Sequence, residues 1–389
     1  MYKTVKIPSR RAGFRRKFVF LVETHFQERD TKRFGVPNLL LAGLKVEIWQ
    51  VFGKSRREYK LSYSPPDPEK SLVIKDLSDR NRFCAEIQRL TCDDILMVLI
   101  GRNYENRFIY QQIAVNKIFY GVIISSSFPL LLNSKRNYGL KSLKEAIYAR
   151  VSNRFKGMSD PNFSLVCGGS NLDSKVQNQP NCISIWSHCL DYDIVLEIDV
   201  SGRPQETAHI VFLDEYFPFH PDYFCQGVKP PTTASEYYPK LRKLFEKIEK
   251  EFSQPVIIAA HPRSNYSTDQ DFFGQRRIVR GETAQLVKNA SLVITHCSTS
   301  NSFTAIYQKP LLVLTSKDLD RSYHGGYIRA TADEFHAPLV NIDCIPDFFS
   351  KREFVVKETV YTQLVEKYFK KRGAEQLNSW QILIKNLSL

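Results

Sequence analysis

The chain has 389 residues and a mass of 45.1 kDa, a length that predicts two or three domains. Hydrophobic residues make up 43% and charged residues 25%, which excludes a disordered chain, a fibrous repeat and a minimal disulfide scaffold. The net charge of +14 favours an anionic partner, such as nucleic acid, an acidic membrane, or a phosphorylated or carboxylated ligand.

No apolar run is long enough for a transmembrane helix, and the apolar run behind the basic first 17 residues is too short for a signal peptide. The eight cysteines show no CxxC spacing, which argues against a zinc ribbon or a disulfide framework. We therefore predict a reduced, cytoplasmic compartment.

Short apolar runs, typical of buried strands, alternate with amphipathic stretches in the N-terminal half. The predicted strands cover residues 18–22, 46–52, 95–101 and 118–124. The predicted helices lie before Gly43, from a cap at Ser78 and Asp79 to about Leu90, and at 105–115 and 141–155. Residues 157–180, rich in small and polar types, are predicted to be a loop region ahead of the domain junction.

The same alternation continues in the C-terminal half. Strands are predicted at 194–200, 209–215, 255–261, 292–296 and 310–316, and helices at 236–252, 282–290, 299–307, around 360–368 and at 376–386. Apolar strands separated by helices predict a parallel α/β architecture. We expect two Rossmann-like domains facing a cleft, with ligands at the carboxyl ends of the strands.

Several common motifs are absent. The sequence has no GxGxxG fingerprint, no complete P-loop, no HExxH and no GxSxG, and its eight histidines lack metal-ligand spacing. These absences argue against a nucleoside triphosphatase and against a metal centre.

The first candidate site is the acidic pair Asp214 and Glu215, where a predicted strand ends in FLDEYFPFHPDYF at 212–224. A carboxylate at a strand end beside a cleft suits catalysis, and partial burial would tune its pKa. The alternative is a pair of solvated residues that open a loop.

The second candidate is His261, Pro262 and Arg263, at the end of the next predicted strand. The imidazole can donate to one phosphate oxygen, and the guanidinium can pair with another. The alternative is a histidine whose hydrogen bonds are satisfied by the backbone.

The third candidate is the hydroxyl cluster Ser298, Thr299 and Ser300, between a predicted strand and a predicted helix. Hydroxyls and unpaired backbone N–H groups at a helix start suit a phosphate. The alternative is ordinary N-capping by Ser298 or Ser300.

This ordered set resembles bacterial transferases that use CMP-activated acidic sugars, including sialyltransferases and polysialyltransferases. It is most similar to the retaining Kdo transferases of capsule and lipopolysaccharide assembly. LDEYFPFHPD at 213–222 and the segments 28–51 and 188–197 carry the likeness, which is most specific over 188–315.

The resemblance implies a GT-B fold in which residues 1–200 form the acceptor domain and 201–350 the CMP-donor domain, with helices of 351–389 packing back on them. It implies transfer of Kdo or a related ulosonic acid from a CMP donor to a surface-glycan acceptor in capsule, lipopolysaccharide or O-antigen. The nucleotide would lie near the set His261, Pro262, Ser298, Thr299 and Ser300.

The resemblance also implies a carboxylate that attacks the anomeric carbon and forms a covalent glycosyl intermediate. Asp214 is the candidate, with Glu215 as support or as the acid/base, and Asp191 and Asp193 are reserve acids. Tyr216 stands where the sialyltransferase motif ends in glycine, which favours the Kdo-type relatives.

A CMP-ulosonate carries a phosphodiester and a carboxylate charge. Arg263, Arg276, Arg277 and Arg280 lie between two nucleotide motifs and could pair with these charges; the alternative is a solvated basic loop. CMP leaves as a single phosphate, so the reaction requires no metal and no other cofactor.

Basic residues at the N-terminus and in the late helix have a second use. Lys367, Lys370, Lys371 and Arg372 could hold the enzyme peripherally at the inner face of the membrane, near a lipid-linked acceptor; the alternative is solubility.

Three other functions stay open at this point. One is a GT-B transferase with a UDP-sugar or CDP-polyol donor, and another is a non-catalytic polysaccharide-assembly protein. Nucleic-acid binding is permitted by charge, but no recognition motif supports it.

Overall fold

The computed structural model describes residues 16–26, 28–51, 72–103, 105–131, 159–179, 181–201, 208–266, 271–347, 349–350 and 354–389. The predicted helix at 141–155 and most of the basic N-terminal arm lie outside the described residues. The chain divides into two compact units. Unit 1 comprises Met1–Ser126, Lys135–Leu190 and Gly373–Leu389, and unit 2 comprises Ser127–Ser134 and Asp191–Arg372.

Unit 1 contains a seven-stranded parallel sheet in the order β3-β2-β1-β4-β5-β6-β7. Its strands are β1 Lys17–Val22, β2 Lys45–Gln50, β3 Leu72–Asp76, β4 Ile95–Val98, β5 Tyr120–Ser125, β6 Phe163–Cys167 and β7 Ile183–Trp186. The strand order reverses between β1 and β4, which makes this pair the topological switch point of the sheet.

Unit 2 contains a six-stranded parallel sheet in the order β10-β9-β8-β11-β12-β13. Its strands are β8 His209–Leu213, β9 Val256–Ala260, β10 Ile278–Arg280, β11 Ala290–Thr295, β12 Leu311–Thr315 and β13 Leu339–Asn341. The switch point here lies between β8 and β11.

The described helices of unit 1 are α1 to α5 and α14, and those of unit 2 are α6 to α13. In chain order they are α1 Glu28–Arg33, α2 Val36–Leu41, α3 Arg80–Ile87, α4 Arg107–Val115, α5 Asp173–Gln177, α6 Leu190–Ser201, α7 Pro221–Gln226, α8 Ala234–Phe252, α9 Thr283–Asn289, α10 Asn301–Ile306, α11 Lys317–Arg321, α12 His324–Phe335, α13 Glu358–Leu364 and α14 Ser379–Leu387. A π-helical turn, Val365–Phe369, continues α13.

After Lys17 the strand β1 is apolar, because both of its faces are buried. Phe18 and Phe20 face a core that includes Trp380 of α14, and Val19 and Leu21 face a second core. The indole N–H of Trp380 donates to the carbonyl of Arg33 at 3.0 Å. The last helix is therefore part of the unit 1 core.

A glycine makes room for that tryptophan. Gly35 has φ +57°, and a Cβ built there would lie 2.1 Å from the Trp380 ring. Asn378 closes a capping box at the start of α14 and accepts from the side-chain amide of Asn38 at 3.2 Å. These contacts fix α14 against α2.

The predicted strand at 194–200 is wrong, because these residues lie in the helix α6. Its β-branched residues read as a strand, but Val195 is buried while Ile194 and Val200 are exposed, as expected for one face of a helix. Asp191 and Asp193 lie in the first turn, where negative charge stabilises a helix.

The region predicted as loop, 157–180, contains β6 and α5, so that prediction is wrong in part. The junction between the units lies at Leu190 and Asp191, earlier than the predicted boundary at 200. The helix α6 belongs to unit 2 because it contacts the rest of that unit: Asp199 accepts from Lys288 at 2.7 Å. The acceptor and donor roles of the two domains stay a prediction.

Candidate active site

Three neighbouring strands of unit 2 end in polar residues. Asp214 and Glu215 follow β8, His261 follows β9, and His296 follows β11. Because β8 lies between β9 and β11 and all three are parallel, these residues meet at one edge of the sheet. Two of the three predicted motifs therefore meet at the switch point of unit 2. The third, residues 298–300, begins two residues after His296.

Asp214 is buried and fully hydrogen-bonded. Its Oδ1 accepts the N–H of Tyr216 at 2.9 Å, and its Oδ2 accepts the hydroxyl of Tyr266 at 2.7 Å and the N–H of His261 at 3.3 Å. Burial raises the pKa of this carboxyl, while the three donors oppose the shift. With 4% of its surface exposed, Asp214 ties the end of β8 to the residues after β9.

Tyr216, next to the acidic pair, has φ +55°, in the left-handed region that favours glycine. This is the position at which the sialyltransferase motif ends in glycine. A tyrosine there costs about 1–2 kcal/mol of backbone strain. Its N–H bond to Asp214 and its ring contacts with Phe219 and Tyr266, at 5.5 and 5.2 Å between centroids, hold it in place.

Glu215 follows β8 and reaches Cys297, the residue after His296. Its side chain therefore spans the switch point between β8 and β11. Its Oε1 accepts the N–H of Cys297 at 2.6 Å, and its Oε2 accepts from the Cys297 thiol at 3.4 Å. Burial raises the pKa of Glu215 to about 7, with a further contribution from the nearby carboxyl of Asp214. Unlike Asp214, Glu215 is partly exposed, so it can exchange protons near neutral pH.

A neutral histidine, His296, lies beneath the polar residues of this edge. His296 is fully buried, its Nδ1–H donates to the carbonyl of Leu314 at 2.8 Å, and its Nε2 accepts from Tyr237 at 2.8 Å. Burial lowers the pKa of His296 to about 3. It therefore adds no charge beneath Glu215 near neutral pH.

His261 lies at the edge, as predicted, and Pro262 beside it is exposed. The Nδ1 of His261 accepts the N–H of Arg263 at 3.2 Å. The guanidinium of Arg263 binds Asp222 in a bidentate pair, at 2.9 and 3.2 Å. Phosphate binding by these residues stays a prediction.

The hydroxyl cluster follows β11 and precedes α10. Ser298 Oγ accepts the N–H of Ser300 at 3.2 Å, Thr299 is exposed, and the Ser300 side chain makes no cap bond. Behind the cluster, both amide atoms of Asn301 are buried and have no hydrogen-bond partner among the described residues.

One reserve acid also reaches this loop region. Asp191 Oδ2 accepts the hydroxyl of Ser302 at 2.6 Å, whereas Asp193 is a buried residue of α6. The bond ties the start of α6 to α10. Neither acid has a demonstrated catalytic role.

The arginines between the motifs are mostly held by the protein. Arg276 pairs with Glu249 at 2.6 Å, and Arg280 donates to the carbonyl of Ser264 at 2.5 Å. In the late helix, Lys367 pairs with Glu334 at 2.8 Å, and Lys370 lies 4.5 Å from the ring centroid of Tyr192. Arg277, Arg280 and Arg372 are exposed, and the donor-binding and membrane roles of these basic residues stay predictions.

Sequence reasoning missed two residues of this edge. Cys297 has a local signal, since it directly follows a strand-end histidine. Tyr266 reaches the edge through a tertiary contact that no local pattern indicates, whereas His220 belongs to a second His-Pro pair, His220-Pro221, that the sequence shows.

Two features are absent from the described part of the chain. No group of three or more histidine, cysteine, aspartate or glutamate residues is arranged to hold a metal ion there. Within the same residues, no helix has both the length and the apolar character needed to cross a bilayer.

No protein-family model and no curated protein sequence matches the chain. Solved structures match it, among them Arabidopsis thaliana UGT89C1 complexed with quercetin, at 10% identity and a TM-score of 0.50 over 96% of this chain and 99% of that chain. Others are UDP-GlcNAc 2-epimerase from Methanocaldococcus jannaschii (12%, TM-score 0.47, 96% and 99%) and the glycosyltransferase SnogD from Streptomyces nogalater (10%, TM-score 0.47, 91% and 95%).

At these identities the likeness concerns the fold alone. Together with the two parallel sheets it defines a two-domain, Rossmann-like GT-B fold. The predicted α/β class is confirmed.

Proposed function

We propose that the chain is a glycosyltransferase that takes a sugar from a nucleotide donor at the carboxyl edge of the unit 2 sheet. The observation that carries this proposal is the meeting of Glu215, His261 and the 298–300 loop at the switch point. Nucleotides bind at such points in open parallel sheets.

Within this proposal Glu215, not Asp214, is the reacting carboxylate. Asp214 is almost fully buried, whereas Glu215, whose oxygens accept from Cys297, is partly exposed. Burial raises the pKa of Glu215 to about 7, and in this proposal its ionised form is the nucleophile. In this proposal Asp214 positions the residues that follow β8 and β9.

The donor in this proposal is a CMP-linked ulosonic acid such as CMP-Kdo, and the acceptor is a surface glycan or a lipid-linked glycan. The sequence resemblance supports this donor. The acidic motif and the His-Pro motif that carry the resemblance are joined in the structure by the hydrogen bond from the His261 N–H to Asp214. Transfer would retain configuration through the carboxylate, with CMP leaving without a metal. A cytoplasmic location at the inner face of the membrane belongs to the same proposal.

A thermal-shift panel with CMP, CDP, UDP and GDP tests the donor class, since the preferred nucleotide raises the melting temperature most. We expect CMP to give the largest shift. A larger shift with UDP or CDP would replace the CMP donor by a UDP-sugar or a CDP-polyol. No shift with any nucleotide would favour a non-catalytic protein.

Release of CMP from CMP-Kdo in the presence of a glycan acceptor then tests the activity. His261→Ala should weaken CMP binding by about 1–3 kcal/mol if the imidazole binds the phosphate. Unchanged affinity would remove His261 from the site.

A further inference from the structure

The Cys297 thiol contacts the Glu215 carboxyl group at the switch point of unit 2. Its Sγ lies 3.4 Å from Oε2 of Glu215, while the backbone N–H of Cys297 donates to Oε1 at 2.6 Å. One residue therefore holds both oxygens of a single carboxyl group. Its side chain supplies one of the two hydrogen bonds, and its backbone supplies the other.

The thiol is the donor in this contact. Burial raises the pKa of Cys297 well above its usual range, and the nearby Glu215 raises it further. The thiol therefore keeps its proton near neutral pH, and an ionised carboxylate can only accept. Burial raises the pKa of Glu215 to about 7, whereas the N–H and S–H donors of Cys297 oppose that shift.

Both residues are attached to fixed parts of the chain. Cys297 directly follows His296, whose ring is held by two hydrogen bonds of 2.8 Å. Glu215 directly follows Asp214, whose carboxyl group accepts three hydrogen bonds. Because the backbone is fixed on both sides, the Glu215 side chain is the part of this contact that still has to be oriented.

The second hydrogen bond matters for that orientation. A glutamate side chain has several rotatable bonds, and ordering it costs free energy. The N–H of Cys297 alone would hold one oxygen and leave the carboxyl group able to turn about that contact, whereas the thiol fixes the other oxygen. A reacting group that is already held in one orientation does not have to be ordered during the reaction, which raises the rate.

We propose that the Cys297 thiol is a positioning residue, which orients Glu215 for reaction and favours its ionised form. The proposal rests on the proposed function, in which Glu215 is the nucleophile. The thiol itself forms no covalent bond and keeps its proton throughout.

Other titratable groups also lie within electrostatic reach of Glu215. They are Asp214 on the same strand end, His296 beside the thiol, Tyr223 on α7 and Tyr237 on α8. Burial raises the pKa of both tyrosines far above neutrality and lowers that of His296 to about 3, so these three stay neutral where Glu215 titrates. Asp214 is common to all the variants compared below.

The titration of Glu215 in the full chain tests the proposal without any sugar donor, by carboxyl ¹³C resonances assigned with Glu215→Gln. Cys297→Ala removes the thiol and keeps the backbone N–H, so the midpoint of about 7 should rise by about one pH unit. Cys297→Ser keeps a donor and should return the midpoint to that of wild type or below it. Cys344→Ala, at an exposed free cysteine of the same unit, is the matched control and should leave the midpoint unchanged.

A second measurement uses the wild-type protein alone. In the infrared S–H stretching region, one thiol band should move to lower frequency as Glu215 ionises, with a midpoint of about 7. An exposed thiol behaves differently, because its S–H band disappears when it ionises. If no band moves over this range, the thiol does not donate to Glu215 and the proposal is overturned.

Transfer kinetics complete the test. In Cys297→Ala the rising limb of the pH–rate profile should shift by the same interval as the Glu215 midpoint, with CMP affinity unchanged, and Cys297→Ser should reverse the shift. An unmoved midpoint in Cys297→Ala, or an equal loss in both variants, would overturn the proposal. Failure of the wider function looks different: a shifted midpoint without transfer from any donor would refute the glycosyltransferase and leave the positioning by Cys297 intact.

Discussion

The two sheets share a switch-point topology, and each holds a carboxylate there in a similar way. In unit 1, Glu23 follows β1, and the side-chain amide of Asn106, beyond β4, donates to its Oε1 and to the carbonyl of Gly101. In unit 2, Glu215 follows β8, and Cys297, beyond β11, donates to both of its oxygens. In both sheets, therefore, a glutamate follows one switch-point strand and accepts hydrogen bonds from a residue beyond the other.

The surroundings of the two acids differ. Residues 101–103 beside Glu23 are exposed, whereas Glu215 lies among the buried side chains Tyr223, Tyr237 and His296. Burial is what raises the pKa of Glu215 to about 7. Topology thus provides a place for a carboxylate in each unit, and in unit 2 burial raises the pKa of that carboxylate.

The largest expected effect comes from Glu215→Gln. Loss of a reacting carboxylate should lower the transfer rate by about 10²-fold or more, with CMP affinity nearly unchanged, as measured by CMP release and titration. The rate of wild-type enzyme should rise with pH through about 7, because the ionised form attacks.

Glu197→Gln on the exposed side of α6 is the matched control and should keep wild-type activity. If Glu215→Gln transfers sugar at the wild-type rate, the difference in burial between Glu23 and Glu215 has no consequence for catalysis. A rate that falls as pH rises through 7 would make Glu215 an acid instead of a nucleophile.

Gly35→Ala should damage unit 1 selectively. The new Cβ would overlap the Trp380 ring and require a left-handed alanine, a cost of roughly 3 kcal/mol in the free energy of unfolding. All three tryptophans of the chain, Trp49, Trp186 and Trp380, belong to unit 1, so tryptophan fluorescence during urea unfolding reports on that unit.

Gly43→Ala controls for backbone strain alone, because Gly43 has φ +80° but no atom lies within 4 Å of where its Cβ would be. It should cost about 1 kcal/mol. Equal losses in the two variants would mean that Trp380 can move aside and that the contact with α14 is not tight.

The pH dependence of stability should separate Glu215 from its neighbours. Its pKa is raised from 4.5 to about 7, so the stability of its protonated form is present below pH 4.5 and is lost as pH rises through 7. The unfolding free energy of wild type relative to Glu215→Gln should therefore fall by up to about 3 kcal/mol over this range.

The buried histidines act with the opposite sign, since burial lowers the pKa of His296 to about 3 and of His324 to about 4. Their contribution is lost as pH falls, and it is common to both proteins, so the difference isolates Glu215. A difference that is flat from pH 4.5 to 7 would show that Glu215 is not perturbed.

Asp214→Asn should lower the free energy of unfolding by less than Gly35→Ala does. The amide cannot accept from all three donors, so the unfolding free energy should fall by about 1–2 kcal/mol, measured by urea unfolding followed by circular dichroism. Complete loss of transfer with unchanged stability would instead make Asp214 the nucleophile.

Much of the fold could be predicted because strands buried on both faces are apolar along their length, as in β1, β4, β8 and β11. The short edge strands β10 and β13 carry no such run and were missed. The helix α6 was mistaken for a strand because isoleucine and valine dominate it, and its tertiary contacts with unit 2 override that propensity.

The candidate site was predictable only where a functional residue directly follows a strand. Asp214, Glu215 and His261 satisfy that condition, and the structure brings them together. The roles of the acids depend on hydrogen bonds from Tyr266 and Cys297, which are distant in sequence. His220 belongs to a second His-Pro pair in the sequence, but its ring contact with His261 depends on the tertiary structure.

The position of α14 has a consequence for synthesis on the ribosome. Nearly all of unit 2 is one continuous segment, 191–372, whereas the core around β1 lacks Trp380 until residues beyond 372 have left the exit tunnel. Unit 1 therefore cannot complete its core until α14 has been made, which is after the whole of unit 2 has been translated. Chaperones that protect exposed apolar strands would be needed longest by β1 and its neighbours.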